Sequence, residues 1–144
     1  MELEFPRDSF GYLSEEIVDD RERLERDWVW IIDPIDGTTN FIMGKPYFAI
    51  SLALEMAGEI IEGYVYNPVS RELYYSTKKL GVSFLNGQEI SVSQTKEIEK
   101  ALIAFGFSAK MSAIQQYYQD WQKLFESCRK GVGWIAPALT LCNV

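Results

Sequence analysis

Two aspartates at the end of an apolar run are the residues of this sequence best suited to chemistry. The stretch "WVWIIDPIDGTTNF", residues 28–41, passes from apolar residues into Asp33 and Asp36 and then into a glycine and two threonines. Pro34 fixes its own φ and disfavours a helical conformation at Asp33, so the backbone between the two carboxylates is stiff. Two like charges about 4 Å apart cost on the order of 4 kcal/mol at an effective dielectric of about 20. Because the next basic residue is Lys45 and the chain has no histidine, a divalent cation is the simplest way to relieve such repulsion.

The residues that follow, "GTTN" at 37–40, could hold an anion. A glycine lets a phosphate approach the backbone, and free amides at the start of a helix bind anions. Carboxylates for a metal beside amides for phosphate suit phosphoryl transfer, and oxygen ligands favour Mg²⁺ over Zn²⁺. The same residues also form ordinary turns and N-caps, in which a carboxylate only accepts amide hydrogen bonds. From these residues alone both interpretations stay open, and Asn40 is predicted to fix the turn.

Composition limits the partners and the location. The net charge of −7 and a pI of about 4.6 argue against a nucleic-acid backbone or an anionic membrane as the main partner. Cys128 and Cys142 lack metal-ligand spacing and predict two buried thiols in a reducing compartment. The chain starts with acidic residues and no signal-peptide core, and its longest apolar stretch, residues 46–57, carries Glu55. We therefore predict a cytoplasmic protein that binds a small molecule.

Strand patterns surround the two aspartates. Residues 1–27 are charged and turn-rich, and within them "DDRERLERD", residues 19–27, predicts a solvated surface segment, whereas "WVWIID" predicts a strand buried on both faces. Residues 48–56 alternate bulky and small or polar side chains, which predicts a strand with its bulky face in the core and its other face tightly packed or polar. Turn signals then separate successive strands at Ala57-Gly58, Asn67-Pro68 and Asn86-Gly87. Four or five strands without intervening helices predict an antiparallel sheet.

The last third of the chain is helical in pattern. Aromatic and apolar residues recur at helical spacing over residues 111–130, which predicts an amphipathic helix with a core-facing stripe. The stripe consists of Ile114, Tyr117, Tyr118, Trp121, Leu124, Phe125 and Cys128. The segment "WIAPALTLCNV" begins a new element. The predicted fold class is α+β, an antiparallel sheet with packed helices.

The stretch "WIIDPIDGTTNF" closely resembles the signature of the inositol monophosphatase family. The segments "YLSEE", "FAISLAL", "EGYVYNPVSRELYYSTKKLGVSFLNGQEI" and "GVGWIAPALTLCNV" resemble further parts of that family in the same order, so the resemblance covers nearly the whole chain. Two related families are weaker matches and remain alternatives. Bisphosphate nucleotidases usually carry a charged or bulky residue after "DGT", and fructose bisphosphatases typically have serines in place of Thr38 and Thr39.

The resemblance implies a fold, an activity and a set of site residues. The fold is the first domain of the layered α/β sugar-phosphatase architecture. The activity is Mg²⁺-dependent, lithium-sensitive hydrolysis of inositol monophosphate or a similar sugar phosphate monoester, and the protein is expected to form a homodimer. The implied metal ligands are Glu15, Asp33, the carbonyl of Ile35, and Asp36. Glu15 and Thr38 are implied to activate the attacking water as a hydrogen-bonded pair, and Asp36 with the amides of Gly37, Thr38 and Thr39 to bind the phosphate substrate.

The sequence also departs from the family. Ser14 replaces the glycine usual before the paired glutamates. The family's N-terminal helices and its late Trp-Asp segment, which supplies a ligand for the second metal, have no counterpart in these residues. We therefore expect a single partial domain over residues 1–144, truncated at both ends, with the second domain beyond residue 144. We also expect weak Mg²⁺ binding and little turnover by this chain alone. The alternative is a non-catalytic domain that keeps the fold for oligomerisation or regulation.

Overall fold

A seven-stranded mixed sheet forms most of the structure. The computed structural model describes residues 10–19, 21–105, 121–122, 124, 126–128, 130–133 and 136–144. Along the sheet the strands follow chain order: β1 (Phe10–Ser14), β2 (Trp28–Asp36), β3 (Ala49–Met56), β4 (Glu59–Asn67), β5 (Glu72–Thr77), β6 (Val82–Leu85) and β7 (Gln88–Ile90). A separate parallel pair consists of β8 (Leu102–Phe105) and β9 (Lys130–Gly133). The helices are α1 (Thr38–Ile42) and α2 (Pro137–Cys142), with 3₁₀ turns at Glu22–Glu25 and Ile98–Lys100.

The strands from β2 to β7 are antiparallel, as the sequence predicts. Two of the predicted hairpin turns show the positive φ angles that tight hairpins require: 50° and 82° at Ala57 and Gly58, and 49° and 84° at Asn86 and Gly87. The third turn is held by Asn67, whose Oδ1 accepts hydrogen bonds from the amides of Val69 and Ser70 at 2.9 and 3.2 Å. These turns form because each is specified by residues adjacent in sequence.

Strand β1 was not predicted. It pairs in parallel with β2, from Phe10 opposite Trp28 to Ser14 opposite Ile32. Gly11 is buried, and a Cβ at this position would lie 2.7 Å from the Cα of Arg23, so glycine lets the following 3₁₀ turn pack against the strand. Between β1 and β2, the described residues 15–19 and 21–27 are mostly exposed, as expected. A five-residue edge strand next to charged residues carries too little periodicity to be recognised.

The main buried cluster lies on the small-residue face of β3, the face that the sequence predicts to be tightly packed or polar. Residue Leu54 of β3 is buried, but Ile50 and Met56 on the same bulky face are 39% and 40% exposed. The small residue Ala49, on the other face, is fully buried in a cluster with Tyr74 and two residues of α2. Since α2 packs on this side, small side chains there make room for a helix. The strand predicted from "WVWIID" forms as part of β2, but most residues of β2 are half-buried rather than buried on both faces.

Several other predictions have mixed outcomes. The new element predicted in "WIAPALTLCNV" is confirmed as α2, which begins with a proline at its first turn. The amphipathic helix predicted over residues 111–130 lies mostly outside the described residues and stays a prediction, as does the single-domain boundary. Cys128 and Cys142 form no disulfide and are each of intermediate burial, so they are less buried than predicted. In the described part of the chain, no helix is long and apolar enough to cross a membrane.

Candidate functional site

The parallel pairing of β1 with β2 sets the position of Glu15. The carboxyl ends of two parallel strands lie at the same edge of a sheet. Because Ser14 pairs with Ile32, Glu15, the residue just after β1, is level with Asp33 of β2. Glu15 lies in an exposed turn and Asp33 is half-buried. The unpredicted strand β1 is therefore what places these two predicted ligands at one sheet edge.

An irregularity in β2 places Asp33 and Asp36 on the same face. Against β3, Asp33 pairs with Ser51 and Asp36 with Ala49, so β2 carries one extra residue between these pairs. In a regular strand, residues three apart point to opposite faces, but the extra residue restores the alternation. The Oδ1 atom of Asp33 accepts a hydrogen bond from the Ile35 amide at 3.0 Å, which spans the irregularity. The "DPID" stretch thus brings two carboxylates to one side of the sheet.

Asp36 is buried against the start of α2. Its side chain is 5% exposed, and its Oδ2 atom accepts a hydrogen bond from the Leu139 amide at 3.1 Å. Burial raises the pKa of Asp36, the amides of Leu139 and Ala138 oppose this rise, and the charge of Asp33 adds to it. The buried carboxylate therefore sits in an environment where its negative charge is only partly compensated.

Thr38 differs from its predicted arrangement. Its hydroxyl donates a hydrogen bond to the carbonyl oxygen of Ile35 at 2.9 Å, rather than to Glu15 as the family resemblance implied. Thr38 opens α1 only three residues after Ile35, so this acceptor is local in sequence. A hydroxyl oxygen retains lone pairs when it donates, and the Ile35 carbonyl retains its second lone pair. Both oxygens can therefore still accept a hydrogen bond or ligate a cation.

The predicted phosphate loop is an exposed turn at the start of α1. Gly37 adopts the left-handed conformation (φ 88°, ψ 38°), which costs other residues about 1–2 kcal/mol. No side chain caps the helix that follows, and the first amides of any helix have no partner within it. Thr38 and Thr39 are exposed. The turn accordingly offers backbone donors at the surface next to Asp36.

The predicted acidic metal ligands, Glu15, Asp33 and Asp36, do not form one cluster in the described part of the chain. Within the described residues, no group of three or more acidic or cysteine side chains is placed so that it could hold a metal ion. The ion pairs found among these residues are Arg23–Asp19, Lys78–Glu59 and Lys100–Glu97, and none of them neutralises Glu15, Asp33 or Asp36. Three carboxylates and a carbonyl are the oxygen donors that Mg²⁺ accepts. The donor set fits the ion by its chemistry, and the ligand assignment remains a prediction.

The site includes residues that the sequence did not reveal. The buried side chain of Asn40 donates from Nδ2 to the carbonyl oxygen of Tyr47 at 2.7 Å, which agrees with its predicted role in fixing the turn. The contributions of Tyr47 and of the Leu139 amide were missed. The bond between Leu139 and Asp36 joins residues 103 positions apart, and no local sequence pattern signals such a contact.

Cys142, on α2, provides a test of how this region packs. Burial, and next the charge of Asp36, raise the pKa of the Cys142 thiol from 9.0 to about 11. Since alkylation requires the thiolate, a shift of two units predicts about hundredfold slower reaction with iodoacetamide at about pH 8 in the folded chain than in the urea-unfolded chain. Mass spectrometry of the peptide containing Cys142 measures both rates. Equal rates would contradict the described packing of α2.

Comparisons with known proteins agree on one family. A family model described as "Inositol monophosphatase family" matches residues 2–144. An inositol-1-monophosphatase of Rhizobium meliloti is 42% identical over 105 residues, covering 73% of this chain and 39% of the relative. The Nus factor SuhB of Pseudomonas aeruginosa is 43% identical over 101 residues, covering 70% and 36%. The crystal structure of the extragenic suppressor protein suhB from Bartonella henselae superposes with a TM-score of 0.85 at 32% identity, covering 96% of this chain and 52% of that one.

Proposed function

The chain belongs to the inositol monophosphatase family, and on this basis we propose that it carries the first metal site and the phosphate loop of a Mg²⁺-dependent phosphomonoesterase. The substrate class is inositol monophosphate or a similar sugar phosphate monoester. The observation that carries the proposal is the register that puts Glu15, just after β1, level with Asp33 of the parallel strand β2, with Asp36 on the same face as Asp33. The chain spans about two fifths of the length of the curated relatives it matches, so the activity of a whole protein is part of the proposal.

Each residue of the site has a proposed role. Glu15, Asp33, the carbonyl of Ile35, and Asp36 would hold Mg²⁺, which when bound supplies Lewis-acid stabilisation of phosphate charge and makes water a better nucleophile. Glu15, exposed at the sheet edge, would accept the proton of the attacking water. The hydroxyl oxygen of Thr38 would orient that water through its remaining lone pairs. The amides of Gly37, Thr38 and Thr39 would bind the phosphate oxygens, next to Asp36. Lithium sensitivity, a cytoplasmic location and a homodimer belong to the same proposal.

The proposal is tested by Mg²⁺-dependent binding of inorganic phosphate, measured by calorimetry, together with phosphate release from myo-inositol 1-phosphate. We expect binding in wild type that EDTA abolishes, whereas any release by this chain is slow and EDTA-sensitive. Glu15→Gln should reduce that release at least about hundredfold, the contribution typical of a general base. Glu16→Gln makes the same change at the adjacent exposed residue and should have little effect. Phosphate binding that is absent, or indifferent to EDTA, would overturn the proposal.

A second candidate function is a non-catalytic, regulatory one. Relatives named Nus factor SuhB, including that of Escherichia coli at 36% identity, bear a name that describes no phosphatase activity. Within the described residues the three predicted acidic ligands also do not form a metal cluster. This candidate predicts that Glu15→Gln leaves the function of the chain unchanged. The exclusion of nucleic acid as a partner rests on the net charge of −7 and remains a prediction.

A further inference from the structure

Both ends of loop 36–47 contact consecutive residues of α2. At the first end, Asp36 Oδ2 accepts a hydrogen bond from the Leu139 amide at 3.1 Å. At the second end, the hydroxyl oxygen of Tyr47 lies 3.3 Å from Thr140 Oγ1. This loop contains the proposed phosphate-binding turn. A single turn of α2 therefore touches both points at which the loop joins the sheet.

The chemistry of the hydroxyl groups fixes the direction of the second contact. Thr140 Oγ1 donates its one hydrogen to the carbonyl oxygen of Ala136 at 2.7 Å, so Tyr47 is the donor to Thr140. The carbonyl oxygen of Tyr47 in turn accepts the hydrogen bond from Asn40 on α1. Tyr47 thus connects α1 through its backbone with α2 through its side chain.

The contact between Tyr47 and α2 lies beside the main buried cluster. The Tyr47 ring packs against the buried cluster of Ala49, Tyr74, Ala136 and Leu139. Leu139 and Ala136 are 1% and 0% exposed, so α2 is fixed by packing along one side. A directional hydrogen bond adds a further constraint on the position of the helix along its own axis. The hydrogen bond from the Tyr47 hydroxyl to Thr140 provides such a constraint.

We propose that Tyr47 is a positioning residue of the phosphate and metal loop. Through Thr140 it sets the position of α2, and the Leu139 amide then fixes the carboxylate of Asp36. This inference rests on the proposed function insofar as Asp36 is a Mg²⁺ and substrate contact. Tyr47 itself touches neither the metal nor the substrate in this account.

Amide hydrogen exchange of Leu139, followed by NMR, tests the positioning directly and needs no metal. Tyr47→Phe removes only the hydroxyl, and we expect about 3- to 10-fold faster exchange at Leu139, the factor that corresponds to one lost hydrogen bond. Tyr64→Phe is the matched control, because the Tyr64 hydroxyl donates to Glu62 Oε2 at 2.7 Å on another strand. Exchange at Leu139 should be unchanged in this control. Wild-type exchange in Tyr47→Phe would overturn the proposal.

Variants of Thr140 separate positioning from a general loss of packing. Thr140→Val removes the acceptor and should raise the exchange rate as Tyr47→Phe does, whereas Thr140→Ser keeps the hydroxyl and should restore wild-type exchange. Combining Tyr47→Phe with Thr140→Val should add little beyond Thr140→Val alone, because both remove the same bond. Fully additive effects would contradict a direct Tyr47–Thr140 link.

Calorimetric titration with Mg²⁺ connects the positioning to the site. We expect Mg²⁺ affinity to fall about 3- to 10-fold in Tyr47→Phe and to be unchanged in Tyr64→Phe. Faster exchange at Leu139 combined with unchanged Mg²⁺ affinity would overturn the positioning role. If wild type binds no Mg²⁺, the proposed function fails, and the exchange measurement still decides whether Tyr47 positions Asp36.

Discussion

Replacing Asp33 with asparagine is expected to weaken Mg²⁺ binding at least about tenfold, since even the loss of an outer-shell partner of a metal costs 10- to 100-fold in affinity. Any Mg²⁺-dependent turnover should be lost. The substitution removes the charge but keeps the shape and an oxygen that can still accept the bond from the Ile35 amide, found at 3.0 Å in this structure. The fold should therefore survive. Calorimetry measures the affinity, and the far-ultraviolet circular dichroism spectrum checks the fold.

A matched control is Asp27→Asn, just before β2. Asp27 is exposed, and the substitution changes the net charge by the same amount. We expect Mg²⁺ affinity in this variant within about twofold of wild type, because a solvated charge away from the site is screened. Equal Mg²⁺ affinities in Asp33→Asn and wild type would show that Asp33 is not a metal ligand and would contradict the proposed chemistry.

Replacing Leu139 with alanine is expected to cost about 2–5 kcal/mol of stability, the range for buried leucines. Leu139 is 1% exposed and sits in the main buried cluster. Its backbone amide also donates to Asp36, so a displaced α2 would loosen the carboxylate. We therefore expect the variant to lose Mg²⁺ affinity as well. Urea unfolding gives the stability change from the transition midpoint at constant slope.

The same helix supplies the control for this substitution. Leu141 is 75% exposed, so Leu141→Ala makes the same chemical change with little buried surface to lose. Surface substitutions usually change stability by no more than about 0.5 kcal/mol. A loss in Leu141→Ala equal to that in Leu139→Ala would show that the orientation of α2 differs from the one described.

The sequence predicts the features that depend on neighbouring residues. The turns at Ala57-Gly58 and Asn86-Gly87 follow from residues that tolerate positive φ angles. Strands β4 and β5 follow from runs of β-forming residues between those turns. Asp33 and Asp36 were identified by their spacing and by family resemblance. In each case the determining information lies within a few residues.

What the sequence does not predict depends on contacts between distant residues. The parallel pairing of β1 with β2 puts Glu15 level with Asp33, and nothing in residues 10–14 specifies that pairing. The contact of Leu139 with Asp36 follows from the packing of α2. The place of the main buried cluster has the same origin, because the packing of α2 buries the small-residue face of β3.

Paramagnetic broadening by Mn²⁺ tests most directly where the cation binds. Mn²⁺ takes the same oxygen ligands as Mg²⁺ and broadens NMR signals of nearby nuclei, so substoichiometric addition maps its site on the chain. We predict broadening centred on Glu15, Asp33 and Asp36, reversed by excess Mg²⁺ and absent in Asp33→Asn. Broadening confined to other acidic residues, such as exposed Glu97 and Glu99, would contradict a metal site at the end of β2.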